Sequence, residues 1–257
     1  MAHTQSHDDD GDEAGDGFDI RSLSSTYPDG FELPAHDHPW AQLVYARSGV
    51  MHVTTPETVW FVPPTRAIWI PPGISHAIGM TGEVAMRTLY IAPRRAAAFR
   101  RSVGAIEVSP LMAELVLHIL ALGMLDPEKP AHDRLAGVLM DLIAAAPGVD
   151  LALPLPRDPR ALRLAMRLRA DPGERADLET LAARTGASLR TLQRLFSVET
   201  GVPIETWRQK ARLVHSAAAL SAGASVTEAA LACGYDSPSA YIAAFRRQFG
   251  VTPGRFA

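Results

Sequence analysis

The sequence predicts an α+β protein of 257 residues with two domains, an all-β barrel covered by helices followed by an all-α domain. Three observations support this prediction. Short, strand-like apolar runs fill the first third of the chain, helical periodicity follows, and the last hundred residues contain a repeated two-helix unit. A proline-rich stretch at 147–157 separates the two halves and predicts an interdomain linker. The chain is long enough for each domain to have its own core.

The N-terminal half begins with a different composition. Residues 1–17 contain six acidic side chains and no apolar run, so we expect a disordered acidic tail. From residue 18 the chain contains five runs rich in β-branched and aromatic residues, QLVYARS, VMHVTT, TVWFV, AIWI and MRTLYI. These runs predict a small barrel or jelly roll. From about residue 93 apolar side chains recur at helical spacing, which predicts helices that cover the barrel and complete a domain over 18–146.

The first two-helix unit has the sequence LETLAARTGASLRTLQRLF, from Leu178 to Phe196. Gly186 suits the tight turn of a helix-turn-helix motif, and Ser188 is a favourable N-cap for the second helix. That helix has an apolar face and an opposite polar face with Arg190, Thr191, Gln193 and Arg194. Arginine and glutamine make bidentate contacts to guanine and adenine in the major groove of DNA. The unit therefore predicts a helix that contacts base edges.

The second unit has the sequence VTEAALACGYDSPSAYIAAFRRQF and repeats the first at an offset of 49 residues, so that Ser237 matches Ser188. The positions equivalent to the polar face of the first unit are Ser239, Ile242 and Ala243. These side chains have little hydrogen-bonding capacity. Arg246 and Arg247 follow and are better placed for phosphates than for bases. We therefore expect the first unit to determine sequence specificity and the second to add affinity and register.

The segment at 203–223 predicts one long helix between the two units, which would hold them about one DNA turn, roughly 34 Å, apart. Charge supports the same division. Residues 157–257 contain 15 Arg or Lys and 9 Asp or Glu, a net charge of +6. Residues 1–156 contain 10 and 19, a net charge of −9. A basic domain on an acidic protein is typical of a phosphate-binding surface.

Residues 158–257 resemble the DNA-binding domain of the AraC/XylS family of bacterial transcription regulators. The resemblance rests on TLQRLF with the following TG, on WRQKARL, and on GYDSPSAYIAAFRRQFGVTPGRF. It implies a sequence-specific regulator that binds a double-stranded DNA operator, with RNA polymerase as a further partner and a homodimer as the expected assembly. The family's base-contacting positions correspond to Arg190, Gln193 and Arg194 in the first unit, and to Pro238, Ser239, Ile242 and Ala243 in the second.

A second pattern lies in the β region. His36-Asp37-His38 is followed by Gln42, and a distant Pro-Pro-Gly precedes His76. This spacing resembles the cupin pattern, in which histidines from two strands meet inside a barrel. Alternate residues of a strand face the same way, so His36 and His38 would both point into the lumen. Three imidazoles and an oxygen ligand suit a divalent transition metal.

The cupin resemblance is incomplete at three positions, namely Gln42 for the usual Glu, Thr65 for a glycine and Met80 for an asparagine. Three interpretations of the barrel therefore stay open: a metal site, a small-molecule effector pocket without metal, and histidines with only a structural role. Likewise, the tryptophans Trp40, Trp60 and Trp69 could line an aromatic pocket or belong to the core. The sector around HDHPWAQLVYARSGVM also resembles regulators that control nearby efflux transporters.

Three functions follow from these patterns. The leading one is a regulator whose barrel binds a small molecule or metal and so alters operator binding or polymerase contact. The alternatives are a metal-dependent cupin enzyme fused to a DNA-binding module, and a regulator whose barrel serves only to dimerise. We expect no enzyme, because the sequence has no Ser/His/Asp arrangement, phosphate-binding glycine loop or zinc-type Cys pair. The lone Cys233 and the absence of a secretory or membrane-spanning segment favour a cytoplasmic, nucleoid-associated protein.

Overall fold

The computed structural model describes residues 17–97 and 102–256. The acidic tail expected at 1–17 lies outside these residues, apart from Gly17. Within the described ranges, short antiparallel strands form the N-terminal half. They are β1 (Ile20–Tyr27), β2 (Glu32–His36), β3 (Ala41–Ala46), β4 (Val50–Thr54), β5 (Thr58–Val62), β6 (Arg66–Ile70), β7 (His76–Thr81), β8 (Val84–Ile91), β9 (Gly104–Glu107), β10 (Met124–Leu125), β11 (Gly148–Val149) and β12 (Ala152–Pro154).

Helices lie between the later strands, and from residue 159 onward all regular elements of the described residues are helices. They are α1 (Pro93–Ala96), α2 (Pro110–Leu122), α3 (Pro130–Ala145), α4 (Pro159–Ala170), α5 (Leu178–Ala183), α6 (Leu189–Thr200), α7 (Ile204–Ser221), α8 (Val226–Ala232), α9 (Pro238–Phe249) and α10 (Pro253–Phe256). This arrangement confirms the predicted α+β fold, with an N-terminal β domain followed by a helical domain.

Two antiparallel sheets form the β domain. One has the strand order β10-β1-β8-β3-β6-β9-β11 and the other has the order β12-β5-β4-β7-β2. Because side chains alternate along a strand, each sheet turns every second residue inward. Apolar side chains fill much of this interior and form one buried cluster, which includes Val44, Met51, Ile68, Ile78 and Met86.

The covering helices α2 and α3 pack on the outer face of the seven-stranded sheet. Ser109 is the N-cap of α2, since its hydroxyl accepts a hydrogen bond from the backbone N–H of Met112 at 3.2 Å. Ile119 and Leu139 are fully buried in this layer, in the same cluster as Trp69. Leu111 of α2, by contrast, is 61% exposed.

The segment that the sequence predicts as a linker, at 147–157, contributes an edge strand to each sheet. Strand β11 pairs with β9 in the seven-stranded sheet, and β12 pairs with β5 in the five-stranded sheet. The helical domain then packs around α7, in which Trp207 is fully buried. The Nε1–H of Trp207 donates a hydrogen bond of 2.7 Å to the carbonyl of Pro154 at the end of β12. The connection is therefore hydrogen-bonded to both domains.

One hydrophobic cluster extends across the boundary between the domains. Val59 and Phe61 on the outer face of β5 pack in the same cluster as Leu164 of α4 and Val214 of α7. Lys210 of α7 adds an ion pair of 2.6 Å with Asp150, which lies between β11 and β12. The barrel and the helical domain thus share part of their core.

The turn between β3 and β4 depends on a glycine. Gly49 has a φ of +75°, and an added Cβ would lie 2.4 Å from the carbonyl oxygen of Glu83. Gly30 has a similar φ of +73° but open space around it. We expect Gly30→Ala to lower the free energy of unfolding by about 1–2 kcal/mol, the cost of a left-handed conformation for an L side chain. Gly49→Ala should lower it further, because the neighbouring backbone must also move. Urea unfolding of both variants checks this, and equal losses would contradict it.

Candidate metal centre and nucleic-acid interface

Three histidines meet at one end of the β domain. His36 ends β2, His38 lies in the following loop, and His76 begins β7, where it pairs with His36 across the sheet. One ring nitrogen from each lies within 4.8 Å of the others. His76 is buried at 1% exposure, whereas His36 and His38 are partly exposed. The structure therefore brings together the three histidines that the sequence singled out.

Each of these histidines has its Nδ1 atom against a backbone carbonyl. The pairs are His36–Pro34 at 2.9 Å, His38–Trp40 at 2.7 Å and His76–Ile74 at 2.8 Å. Because a carbonyl can only accept, each Nδ1 carries the proton and each Nε2 keeps a lone pair. The Nε2 of His76 is buried and has no hydrogen-bond partner among the described residues. Metal-binding histidines are oriented by this same kind of Nδ1–H contact.

Gln42 supplies an oxygen to the same cluster. The hydroxyl of Thr88 donates to the carbonyl of Leu43 at 3.2 Å, so it can only accept from the Nε2 of Gln42 at 3.0 Å. This contact determines the orientation of the amide and turns Oε1 toward the Nε2 of His38, 3.4 Å away. Two acceptors face each other there. A cation between them would remove that conflict, which makes Gln42 Oε1 a fourth ligand candidate.

Burial also disfavours the charged forms of His38 and His76. It lowers the pKa of His76 to about 4 and holds the pKa of His38 below its ordinary value. A neutral imidazole is the form that binds a metal. The ring of Tyr90 on β8 stands edge-on to His38, with centroids 5.2 Å apart, and burial raises the pKa of its hydroxyl to about 12. Neither Tyr90 nor Thr88 lies near the histidines in sequence, so no local spacing could have identified them.

The first helix-turn-helix unit consists of α5, a turn and α6. Gly186 in the turn has a φ of +77°, and Ser188 accepts a hydrogen bond of 3.3 Å from the backbone N–H of Thr191. The inner face of α6 buries Leu192, Leu195 and Phe196. On its outer face the residues expected to contact bases, Arg190, Gln193 and Arg194, are exposed, while Thr191 is half-buried.

One contact on this face was not expected from the sequence. The side-chain amide of Gln193 donates a hydrogen bond of 3.0 Å to the carboxylate of Glu205 in the first turn of α7. The amide keeps its carbonyl oxygen and one further N–H for another partner. Since Glu205 lies in the helix between the two units, only the packing of α7 on α6 brings it to this position.

The second unit consists of α8 and α9. Ser225 and Glu228 form a capping box at the start of α8, a local signal that the sequence interpretation missed. Ser237 begins α9 and accepts a hydrogen bond of 3.2 Å from Ala240 N–H. The exposed side chains of α9 include Ser239, Ile242, Ala243, Arg246 and Arg247.

Cys233 lies between α8 and α9 and is fully buried. Its thiol donates to the carbonyl of Arg212 at 3.0 Å, and burial raises its pKa to about 11. A thiol with this pKa is almost entirely protonated at neutral pH and is therefore a poor nucleophile. These contacts indicate a structural role for Cys233.

Comparison with known families assigns both halves of the chain. Residues 21–181 match the model of the AraC-like ligand binding domain, and residues 181–257 match a helix-turn-helix domain model. The chain belongs to the AraC family of transcription regulators. In this AraC-family regulator an N-terminal ligand-binding domain therefore precedes a C-terminal DNA-binding domain.

The relatives NimR and RipA agree with this assignment. The chain is 32% identical to the HTH-type transcriptional regulator NimR of Escherichia coli (strain K12) over 223 residues, which cover 87% of this chain and 81% of NimR. It is 36% identical over 103 residues to the HTH-type transcriptional regulator RipA of Corynebacterium glutamicum, covering 40% of this chain and 31% of RipA. The solved structure of fatty-acid-bound ToxT from Vibrio cholerae aligns over 93% of this chain and 94% of its own, with 9% identity and a TM-score of 0.41.

Both NimR and RipA are described as transcriptional regulators, and neither description mentions an enzymatic activity. Within the described residues of this AraC-family chain, no helix combines the length and the apolar character needed to cross a bilayer.

Proposed function

We propose that this AraC-family regulator is metal-responsive, and that a divalent transition metal at His36, His38, His76 and Gln42 modulates its binding to operator DNA. One observation supports the metal most directly: one ring nitrogen from each of the three histidines lies within 4.8 Å of the others, and each histidine has its Nδ1 against a backbone carbonyl. The Oε1 of Gln42 lies 3.4 Å from the Nε2 of His38. Nitrogen-rich sites of this kind suit zinc, iron, nickel or copper. When bound, such a cation supplies positive charge that satisfies all four lone pairs.

The chain's own residues offer a route from this site to the DNA-binding domain. His36 and His76 lie on β2 and β7, which belong to the five-stranded sheet. The outer face of that sheet packs against α4 and α7. A ligand that binds two domain arrangements with different affinity shifts their populations, typically by about 1–3 kcal/mol of coupling.

On the DNA side, we assign Arg190, Gln193 and Arg194 to base edges, because they share the exposed face of α6. Ser188 and Thr191 lie at the start of this helix, and Ser237 and Ser239 at the start of α9, where backbone and hydroxyl groups commonly contact phosphates. Arg246 and Arg247, in the last turn of α9, complete the phosphate contacts.

We also propose a homodimer formed through the covering helices. Leu111, Leu122 and Val138 on α2 and α3 are 61%, 42% and 46% exposed. Exposed large apolar side chains on both covering helices support burial of these helices against a second subunit. We expect sedimentation analysis to detect a dimer that Leu111→Glu weakens.

We further propose that the regulator controls a transporter gene, that it contacts RNA polymerase, and that it associates with the nucleoid.

The experiment that tests the function measures operator affinity with and without metal. An operator is selected from random-sequence DNA, and fluorescence anisotropy then gives the Kd of the chelated and the zinc-loaded protein. We expect these values to differ by about 5–150-fold, the usual range for such coupling. In the His36→Ala/His38→Ala variant the two values should coincide. Selection of no sequence at all would contradict DNA recognition, and equal affinities in the wild type would contradict the metal response.

Arg194→Ala tests the assignment of the α6 face. We expect it to weaken operator binding by about 1–3 kcal/mol and to relax the preference at one base pair, because a bidentate contact to a base edge is lost. The measurement compares Kd for the operator and for scrambled DNA. Arg134→Ala removes the same charge from an exposed position on α3 and should leave the ratio of the two values unchanged. An unchanged ratio in Arg194→Ala would contradict the assignment.

A further inference from the structure

A cavity of about 160 Å³ lies between the β domain and the helical domain. On the barrel side its wall includes four residues in one row, since Glu32 pairs with Gly79, Gly79 with His52, and His52 with Phe61. This row crosses β2, β7, β4 and β5. The opposite wall comes from the DNA-binding domain, with Arg169 on α4 and Ala211, His215 and Ala218 on α7.

This cavity is separate from the barrel interior. His52 alternates along β4 with Met51 and Val53, which both belong to the interior cluster. His52 and the rest of its row therefore lie on the outer face of the sheet. The histidine cluster of the candidate metal centre contributes no residue to the cavity wall. A ligand here would contact the two domains directly.

Arg169 is the unusual residue of the cavity. Its Nη1 is buried and lacks a hydrogen-bond partner, and among the described residues it forms no ion pair. Burial lowers the pKa of its guanidinium, and the carboxylate of Glu32 opposes this only in part. A buried charged donor without an acceptor is unfavourable. Such a donor is expected where a ligand supplies the missing acceptor.

The two histidines of the cavity are neutral near pH 7. Burial is the main cause that lowers the pKa of His52 to about 4, and the charge of Arg169 adds to it. Burial likewise lowers the pKa of His215. The Nε2 of His52 lies 2.9 Å from the hydroxyl of Thr81. The wall thus presents one cation, neutral hydrogen-bonding groups and the single negative charge of Glu32.

We propose that this cavity binds a small, singly charged oxyanion, of which a carboxylate is the representative, through the guanidinium of Arg169. The carboxylate of Glu32 disfavours anions with a higher charge, and the apolar side chains of Phe61, Ala211 and Ala218 leave room for a short apolar group. Because its walls belong to both domains, the bound anion stabilises their closed arrangement. Its effect on DNA binding rests on the proposed function, whereas its binding does not.

The test is thermal unfolding of the full chain in sodium propionate, sodium phosphate and sodium chloride at equal ionic strength. We expect propionate to raise the melting temperature of the wild type above its value in chloride by about 2–4 °C. Arg169→Gln should lose this increment, yet be at least as stable as the wild type in chloride, since an unpaired buried charge is removed. Arg167→Gln, at an exposed position on the same helix, should keep the increment.

A second variant tests the proposal independently, in case Arg169→Gln does not fold. Gly79→Ala places a methyl group in the cavity at ordinary contact distance, 3.8 Å from Glu32, and should reduce the increment while Arg169 stays in place. A full increment in both variants, or none in the wild type, would overturn the proposal. At a pH well above the second pKa of phosphate, where the ion is doubly charged, a shift with phosphate but not with propionate that Arg169→Gln abolishes would overturn the assignment to a singly charged anion. Because no DNA is present, loss of operator binding would refute the proposed function without affecting this result.

Discussion

Protein purified from metal-replete cells is expected to contain about one equivalent of a transition metal, the stoichiometry of one site with several protein ligands. The His76→Ala variant should contain almost none. His76 is the most buried of the three histidines, and its Nε2 has no partner among the described residues. Its removal therefore deletes the ligand that water replaces least easily. Mass spectrometry of metal content after extensive dialysis measures this directly.

His118→Ala is the matched control, because His118 is an exposed histidine on α2, distant from the cluster in the fold. It should retain the full equivalent. The metal should also stabilise the protein, by about 2.7 kcal/mol at a free concentration of 100 times its Kd. A chelator should therefore lower the melting temperature of the wild type and leave His76→Ala unaffected. Metal-free wild type, or equal content in the wild type and His76→Ala, would contradict the site.

Trp207→Ala is expected to lower the free energy of unfolding by about 3–5 kcal/mol, the range for truncating a buried Trp to alanine. Trp207 has no exposed surface, stacks edge-on with Phe196 at 5.7 Å between centroids, and donates to the carbonyl of Pro154. The substitution opens a cavity in the helical domain and leaves that carbonyl without its donor. Urea unfolding, followed by circular dichroism, gives the change in stability.

Trp207→Phe separates the two contributions. It keeps most of the buried ring but removes the N–H, so we expect a loss of about 1–3 kcal/mol from the unpaired carbonyl. Because the ring packs in a cluster that both domains share, Trp207→Ala should also shift the unfolding of the β domain. A loss below about 1 kcal/mol, or a change confined to the helical domain, would refute this account of the interface.

Much of the DNA-binding half could be predicted from the sequence, because its signals are local. Gly186 and Gly234 adopt the positive φ values that the turns require, and Ser188 and Ser237 cap the helices that follow them. Each feature depends on residues within about one turn of each other, so linear spacing is sufficient. The hydrogen bond between Gln193 and Glu205 joins two helices, so linear spacing does not predict it.

In the β domain, spacing identified the histidines but not the groups around them. Thr88 determines the orientation of the Gln42 amide from a strand 46 residues away in sequence, and this contact turns the oxygen toward His38. In the sequence, Gln42 in place of the usual glutamate weakens the prediction of a metal site, because an amide lacks the negative charge of a carboxylate. In the structure the Oε1 of Gln42 nevertheless points toward His38, because the hydrogen bond from the amide N–H to Thr88 fixes the orientation of the side chain.

The α+β organisation, the repeated helix-turn-helix units and the identity of the clustered histidines follow from the amino-acid sequence, since periodicity, caps and turn residues act over short distances. The way in which the domains meet depends on the folded structure. This structure places β12 in the barrel sheet, buries Trp207 against it, and encloses Arg169 opposite His52 and Glu32. These contacts depend on which faces pack together, and local sequence patterns do not specify that pairing.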